Sequence, residues 1–94
     1  MGGALKGIHI TVSGVVQGVG FRWFVKRVAD RWSVKGYVRN LYDGSVETYA
    51  EGDEIPLKGF LDEVRLGPPY AHISGVKINW VEYNGKYKEF KIEL

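Results

Sequence analysis

The 94-residue sequence contains no cysteine, which excludes disulfides, thiolate nucleophiles and cysteine-ligated metals. Its two histidines, His9 and His72, fit no metal-site spacing, and each reads as a surface or half-buried side chain. Charge of neither sign dominates. A net charge of +2 suits a small anionic ligand but makes no case for nucleic acid or membrane as a partner. No apolar run reaches the length of a bilayer span, and the first six residues lack the apolar segment of a secretory signal. A cytoplasmic protein is therefore expected, and the length suits one domain, residues 1–94, with one small core.

What the chain does have is glycine, thirteen of them, and three fall in one telling stretch. Ile8, Ile10 and Val12 alternate with His9, Thr11 and Ser13, predicting a half-buried strand over Lys6 to Ser13. From Phe21 the apolar period becomes helical: Phe21, Phe24, Val25, Val28, Ala29 and Trp32 form one stripe of a helix ending near Trp32. A glycine-spaced loop thus joins a strand to a helix N-terminus, where unpaired N–H groups and the positive end of the helix dipole converge. Gly14, Gly18 and Gly20 permit the positive φ values that let such a loop curl its amides around an anion. Arg22 opposes the dipole in the first helical turn, a placement that makes electrostatic sense if an anion lies between them. Its guanidinium fork would then grip two phosphate oxygens. Glycine turns and arginines at helix starts also occur without ligands, so the stretch alone leaves both readings open. It is neither a Walker A loop nor a dinucleotide fingerprint, because Gly-Lys-Ser/Thr and Gly-x-Gly-x-x-Gly are missing.

The remaining chain supplies a scaffold. Lys35 to Tyr42 and Ser45 to Glu51 flank Asp43-Gly44, which predicts an antiparallel hairpin. Val46, Thr48 and Ala50 face one side of its second strand and Glu47, Tyr49 and Glu51 the other. Asp53 is placed to cap a second helix whose core face is Leu57, Phe60, Leu61 and Val64, and Gly67-Pro68-Pro69 ends it. Alternation resumes at Val76, Ile78 and Trp80, and again at Phe90, Ile92 and Leu94. The order predicts an α+β, ferredoxin-like split β-α-β sandwich with a fifth C-terminal strand, an antiparallel sheet carrying two helices on one face. Which edge takes the fifth strand is left open. Lys35, Glu47, Glu51, Lys91 and Glu93 are read as discouraging edge-to-edge pairing, in keeping with a monomer. Trp23, on the polar side of the first helix, is read as lying across a neighbouring surface.

Few catalysts are available. Asp43 belongs to a turn, and no Ser-His-Asp arrangement can be read. Asn40 is the exception, because asparagine is disfavoured inside a strand. It either prepares the Asp43-Gly44 turn or holds a water in line with a bound phosphorus. A neutral amide works by positioning, not as a base.

Gly14-Val15-Val16-Gln17-Gly18-Val19-Gly20-Phe21-Arg22, followed by Gly36-Tyr37-Val38-Arg39-Asn40 and Asp43-Gly44-Ser45-Val46, resembles the acylphosphatase family pattern, and Phe90-Lys91-Ile92 is similar to the family's last strand. Tyr37 stands where tryptophan is frequent, and Leu41 where some members carry threonine. The resemblance implies that backbone amides of Val16, Gln17, Gly18, Val19, Gly20 and Phe21 cradle a phosphoryl group, that Arg22 binds it, and that Asn40 orients the nucleophilic water. It implies an acylphosphate phosphohydrolase working without metal or other cofactor, its small-molecule partners being an acyl phosphate and inorganic phosphate. Two rivals remain: a non-catalytic or specialised acyl or carbamoyl phosphate-binding domain, like the segment that begins the hydrogenase-maturation carbamoyltransferases, and an RNA-binding module. Glu47 and Glu51 around Tyr49 argue against the second, since carboxylates repel a nucleic-acid backbone.

Overall fold

A computed structural model describes residues 4–94, and Met1, Gly2 and Gly3 of the expected domain lie outside the described residues. Seven elements follow one another: β1 (Leu5–Val15), α1 (Phe21–Trp32), β2 (Lys35–Asn40), β3 (Val46–Asp53), α2 (Glu54–Leu66), β4 (His72–Glu82) and β5 (Phe90–Ile92). The strands form one sheet in the order β4-β1-β3-β2-β5, the split arrangement predicted for a ferredoxin-like fold. Its inward face is set by the even positions of β1. Ile8, Ile10 and Val12 are fully buried against Val25, Val28 and Ala29 of α1 and Leu57, Phe60 and Val64 of α2, so both helices cover one face. The two helices also meet directly. Gly59 leaves room for the Trp32 ring, which a Cβ there would approach to 2.5 Å, and Trp32 Nε1 donates to Glu63 Oε2 (2.6 Å).

One expectation needs correction. The sheet is mixed, because β5 pairs with β2 in parallel, Gly36 opposite Phe90 and Val38 opposite Ile92. The alternation of Phe90 and Ile92 could not reveal this, since period two is the same in either direction. Only three residues of this segment form a strand, and Glu93 N–H continues the contact to the Val38 carbonyl (2.8 Å).

The outward face also departs from the prediction. β3 lies in the middle of the sheet, so Glu47 and Glu51 guard no edge. Glu51 is 2% exposed, accepting hydrogen bonds at Oε1 from Tyr49 Oη (2.8 Å) and from the N–H groups of Asn84 and Gly85 (3.3 Å each). The connection between β4 and β5 therefore lies over this face, and Tyr87 packs on Tyr37 and Tyr49. Burial, with the bond to Glu51 as the second cause, pushes the Tyr49 hydroxyl far above its ordinary value. No helix among the described residues is long and apolar enough to cross a membrane.

Candidate active site

The loop between β1 and α1 is held at both ends by packing. Val16 is 1% and Phe21 2% exposed, and burying one valine contributes about 1.5 kcal/mol or more, so the loop's ends are fixed and its middle is displayed. Gly14 lies in β1 and not in the cradle. The register shifts between Ser13 and Gly14, and at φ 125° a Cβ on Gly14 would fall 2.1 Å from the His72 carbonyl oxygen. Its role is the close approach of β4. Gly18 and Gly20, both at φ 77°, are different: nothing lies within 4 Å of where their Cβ atoms would stand. Their conformation demands glycine, and the space before them is open.

Gly20 is the N-cap of α1 in the left-handed conformation, with no side-chain cap bond and no acidic residue in the first turn. The first intrahelical acceptor is the Gly20 carbonyl, bonded by Phe24 N–H (3.0 Å). The N–H groups ahead of Phe24 in α1 are therefore the orphans of a helix start, aimed along the axis with the dipole behind them. They open on a cavity of about 130 Å³ whose walls include Val16, Gly18, Gly20, Arg22, Trp23 and Asn40. That space admits several water-sized groups, enough for one phosphoryl group.

Arg22 and Asn40, eighteen positions apart in sequence, thus meet in one cavity. Arg22 has no carboxylate partner among the described residues. Its Nη1 donates to the Glu93 carbonyl (3.2 Å), which steers the guanidinium without neutralising it. Asn40 ends β2 instead of interrupting a longer strand, and the chain turns at Tyr42 and Asp43. Its Oδ1 is buried without a hydrogen-bond partner. An unpaired buried amide oxygen costs on the order of 1–3 kcal/mol, and a water donating to it would relieve that cost.

Gln17 plays a part that the loop motif does not disclose. Its Nε2 donates to the carbonyls of Leu41 (2.8 Å) and Ser45 (2.9 Å), pinning the β2–β3 turn, and so the position of Asn40, to the loop between β1 and α1. Both carbonyls also accept a backbone bond within the turn, Ser45 from Leu41 N–H (2.9 Å) and Leu41 from Gly44 N–H (3.2 Å), and no sequence pattern says which carbonyls a glutamine will reach. The turn is braced from within as well: Asp43 Oδ1 accepts from the Ser45 hydroxyl and from its N–H (2.9 Å), bonds that hold the Asp43 carboxyl below its ordinary value. Asp43 is therefore structural, as expected.

The neighbouring charges are already spoken for. Glu47 bonds His9 Nε2 (2.6 Å) at one oxygen and Arg39 Nε at the other. Burial pushes the Glu47 carboxyl up, but the bonds from His9 and Arg39 together with the Arg39 charge outweigh it and leave the group below its ordinary value. His9 is thus half-buried but not isolated, and His72 lies exposed on β4. Trp23 is 63% exposed beside the cavity, not laid across a neighbouring element. No three histidine, aspartate or glutamate side chains cluster as a metal site among the described residues.

Comparison with known proteins shows the family. A family model described as Acylphosphatase matches residues 8–92. An acylphosphatase of Thermotoga petrophila is 49% identical over 89 residues, spanning 95% of this chain and 98% of that one. The crystal structure of acylphosphatase from Bacillus subtilis is similar with a TM-score of 0.90 at 36% identity, covering 97% of this chain and 100% of that chain. Full-length HypF in its phosphate- and nucleotide-bound form matches with a TM-score of 0.84 at 32% identity, over 96% of this chain but 12% of that one.

Proposed function

The chain belongs to the acylphosphatase family and hydrolyses acyl phosphates, and we propose that it does so by in-line attack of a water held on Asn40. The observation that carries this reading is the buried, unpartnered Oδ1 of Asn40, a residue that lines the same cavity as Arg22 and the start of α1. The phosphoryl oxygens take their donors from the backbone amides of residues 16–21 and from the Arg22 fork. A water donating to Asn40 Oδ1 has its lone pair turned toward the phosphorus. Its oxygen bonds to phosphorus as the bond to the acyl oxygen breaks, and the electron pair leaves with the carboxylate. The water's proton passes to a phosphoryl oxygen, and the products are a carboxylate and inorganic phosphate.

A carboxylate leaving group, whose conjugate acid has a pKa of about 4, needs no protein acid to protonate it. The site's lack of a free aspartate, glutamate or histidine is then no defect. In a loose transition state charge spreads over the equatorial oxygens, where fixed amides and Arg22 stabilise it. We read the chain further as one domain over residues 1–94, a cytoplasmic monomer acting on small molecules without nucleic-acid or membrane partners. The weak net charge and the absence of cysteine support that extension, and size-exclusion chromatography and a gel shift with single-stranded RNA test it.

The direct test is hydrolysis of benzoyl phosphate in excess chelator, with inorganic phosphate as inhibitor. Metal-independent turnover, competitively inhibited by phosphate and lost in Arg22→Gln, is expected. Turnover that requires a divalent cation, or noncompetitive inhibition, counts against the cradle. The likeness to HypF in its phosphate-bound form keeps the alternative of a specialised acyl or carbamoyl phosphate-binding domain, and activity confined to carbamoyl phosphate would select it.

A further inference from the structure

Two openings adjoin the reacting phosphorus, and in-line chemistry distinguishes them. On the sheet side, sharing Asn40 with the phosphoryl cavity, lies a hollow of about 620 Å³ lined by Gln17, Arg39, Asn40, Leu41, Tyr42 and Leu94. On the helix side the cavity wall is Trp23. We propose that Trp23 is the platform for the acyl group and that it selects acyl phosphates with a flat aromatic acyl group over small aliphatic ones. This rests on the reading of Asn40 as the holder of the water.

The argument begins with the helix. At 100° per residue, the buried residues Phe21, Val25, Val28 and Ala29 define one side of α1, and Trp23 falls almost diametrically opposite. It therefore projects away from the sheet on which Asn40 sits. Helical side chains lean toward the N-terminus and cover the turn before their own Cα, so the indole overhangs the start of α1, where the phosphoryl group binds. Attacking and leaving oxygens lie on opposite sides of phosphorus. A water held from the sheet side by Asn40 sends the leaving carboxylate out on the other side, past Trp23. The wide hollow lies behind the water, so its size does not make it the acyl site. Solvent enters there.

The side chain itself supports the assignment. Trp23 has no hydrogen bond at its indole nitrogen and no aromatic or cationic partner among the described residues. The other two tryptophans do: Trp32 donates to Glu63, and Trp80 lies under Lys6, 6.0 Å from the ring centroid. Nothing in the packing of α1 requires an indole at a position 63% exposed. Most of its surface is open to a planar acyl group, which stacks on an aromatic ring better than a methyl group does.

The experiment compares wild type, Trp23→Ala, Trp23→Phe and Leu41→Ser. It measures kcat/KM for benzoyl phosphate relative to acetyl phosphate, with the inhibition constant of inorganic phosphate as a separate reading of the cradle. Wild type is expected to favour benzoyl phosphate. Trp23→Ala should reduce that ratio about tenfold through KM, Trp23→Phe should restore most of it, and Leu41→Ser should leave it in place. A ratio preserved in Trp23→Ala, or lost in Leu41→Ser, overturns the platform and assigns the acyl group to the hollow. Calorimetric binding of benzylphosphonate against methylphosphonate gives the same comparison without turnover. If phosphate itself does not bind, the cradle reading has failed and the platform falls with it. If phosphate binds but the two phosphonates bind equally, only the platform is refuted.

Discussion

The two helices begin at opposite rims of the sheet, because each follows one of the antiparallel neighbours β1 and β3, and their first turns are built in opposite senses. At α2 the chain satisfies its own helix start. Glu54 occupies the first turn, where a negative charge complements the dipole, and its N–H is bonded by the Ala4 carbonyl (3.0 Å). Lys58 and Lys6 hold the Glu54 carboxyl below its ordinary value. At α1 both provisions are absent: no acid stands in the first turn, no carbonyl from elsewhere takes its first N–H among the described residues, and Arg22 adds positive charge to the positive end of the dipole. The same fold thus contains a completed helix start and an uncompleted one. In the mechanism proposed above, the missing partner of the second is an anion from outside the chain.

The variant that strikes hardest at this contrast is Arg22→Gln. It keeps the helix start but removes the opposed charge, and kcat/KM for an acyl phosphate should fall about a thousandfold, with phosphate inhibition lost as well. Asn40→Ala comes next. Turnover should drop about a hundredfold or more through lost positioning, while inorganic phosphate still competes. Full activity in that variant removes Asn40 from the mechanism. Gln17→Ala cuts the tie between loop and turn and leaves the Leu41 and Ser45 carbonyls with only their backbone donors, the N–H groups of Gly44 and Leu41. A stability loss of about 1–2 kcal/mol in denaturant unfolding and a smaller fall in kcat than for Asn40→Ala are expected.

Glu47 bears on acid stability. Its folded-state value lies below the ordinary 4.5, so its contribution is complete above that pH and disappears as the pH falls through the lowered value. Glu47→Gln should flatten that acid limb, and an unchanged limb means that the His9 and Arg39 bonds contribute nothing measurable. The smallest effect is expected from Glu54→Lys. Reversing the charge at the completed helix start should lower the melting temperature slightly and leave turnover as it was, which separates a structural helix start from a functional one.

Much of this contrast was legible in the residues. The stripe from Phe21 to Trp32 marked α1 to its observed ends, and Arg22 behind a glycine-rich loop pointed to the anion site proposed above. Asp53 marked the start of α2, although its side chain makes no cap bond. What escaped was whatever depended on backbone groups brought in from elsewhere. The Glu93 carbonyl that steers Arg22 comes from 71 positions away, and a carbonyl has no sequence signature. The parallel seat of β5 on β2 was hidden for the same reason. Glu51 was misread because alternation places a residue on a face without saying what covers that face. The connection around Asn84 and Gly85 does so, donating two N–H groups to a carboxylate that pattern alone assigns to solvent.

The central claim, that the α1 start is completed by a phosphoryl anion through Arg22, is tested most directly by the melting temperature as a function of inorganic phosphate for wild type, Asn40→Ala and Arg22→Gln. A ligand that binds only the folded state stabilises it by mass action. Wild type and Asn40→Ala should therefore rise together with phosphate concentration, while Arg22→Gln stays flat. An equal rise in Arg22→Gln, or none in wild type, would contradict the account.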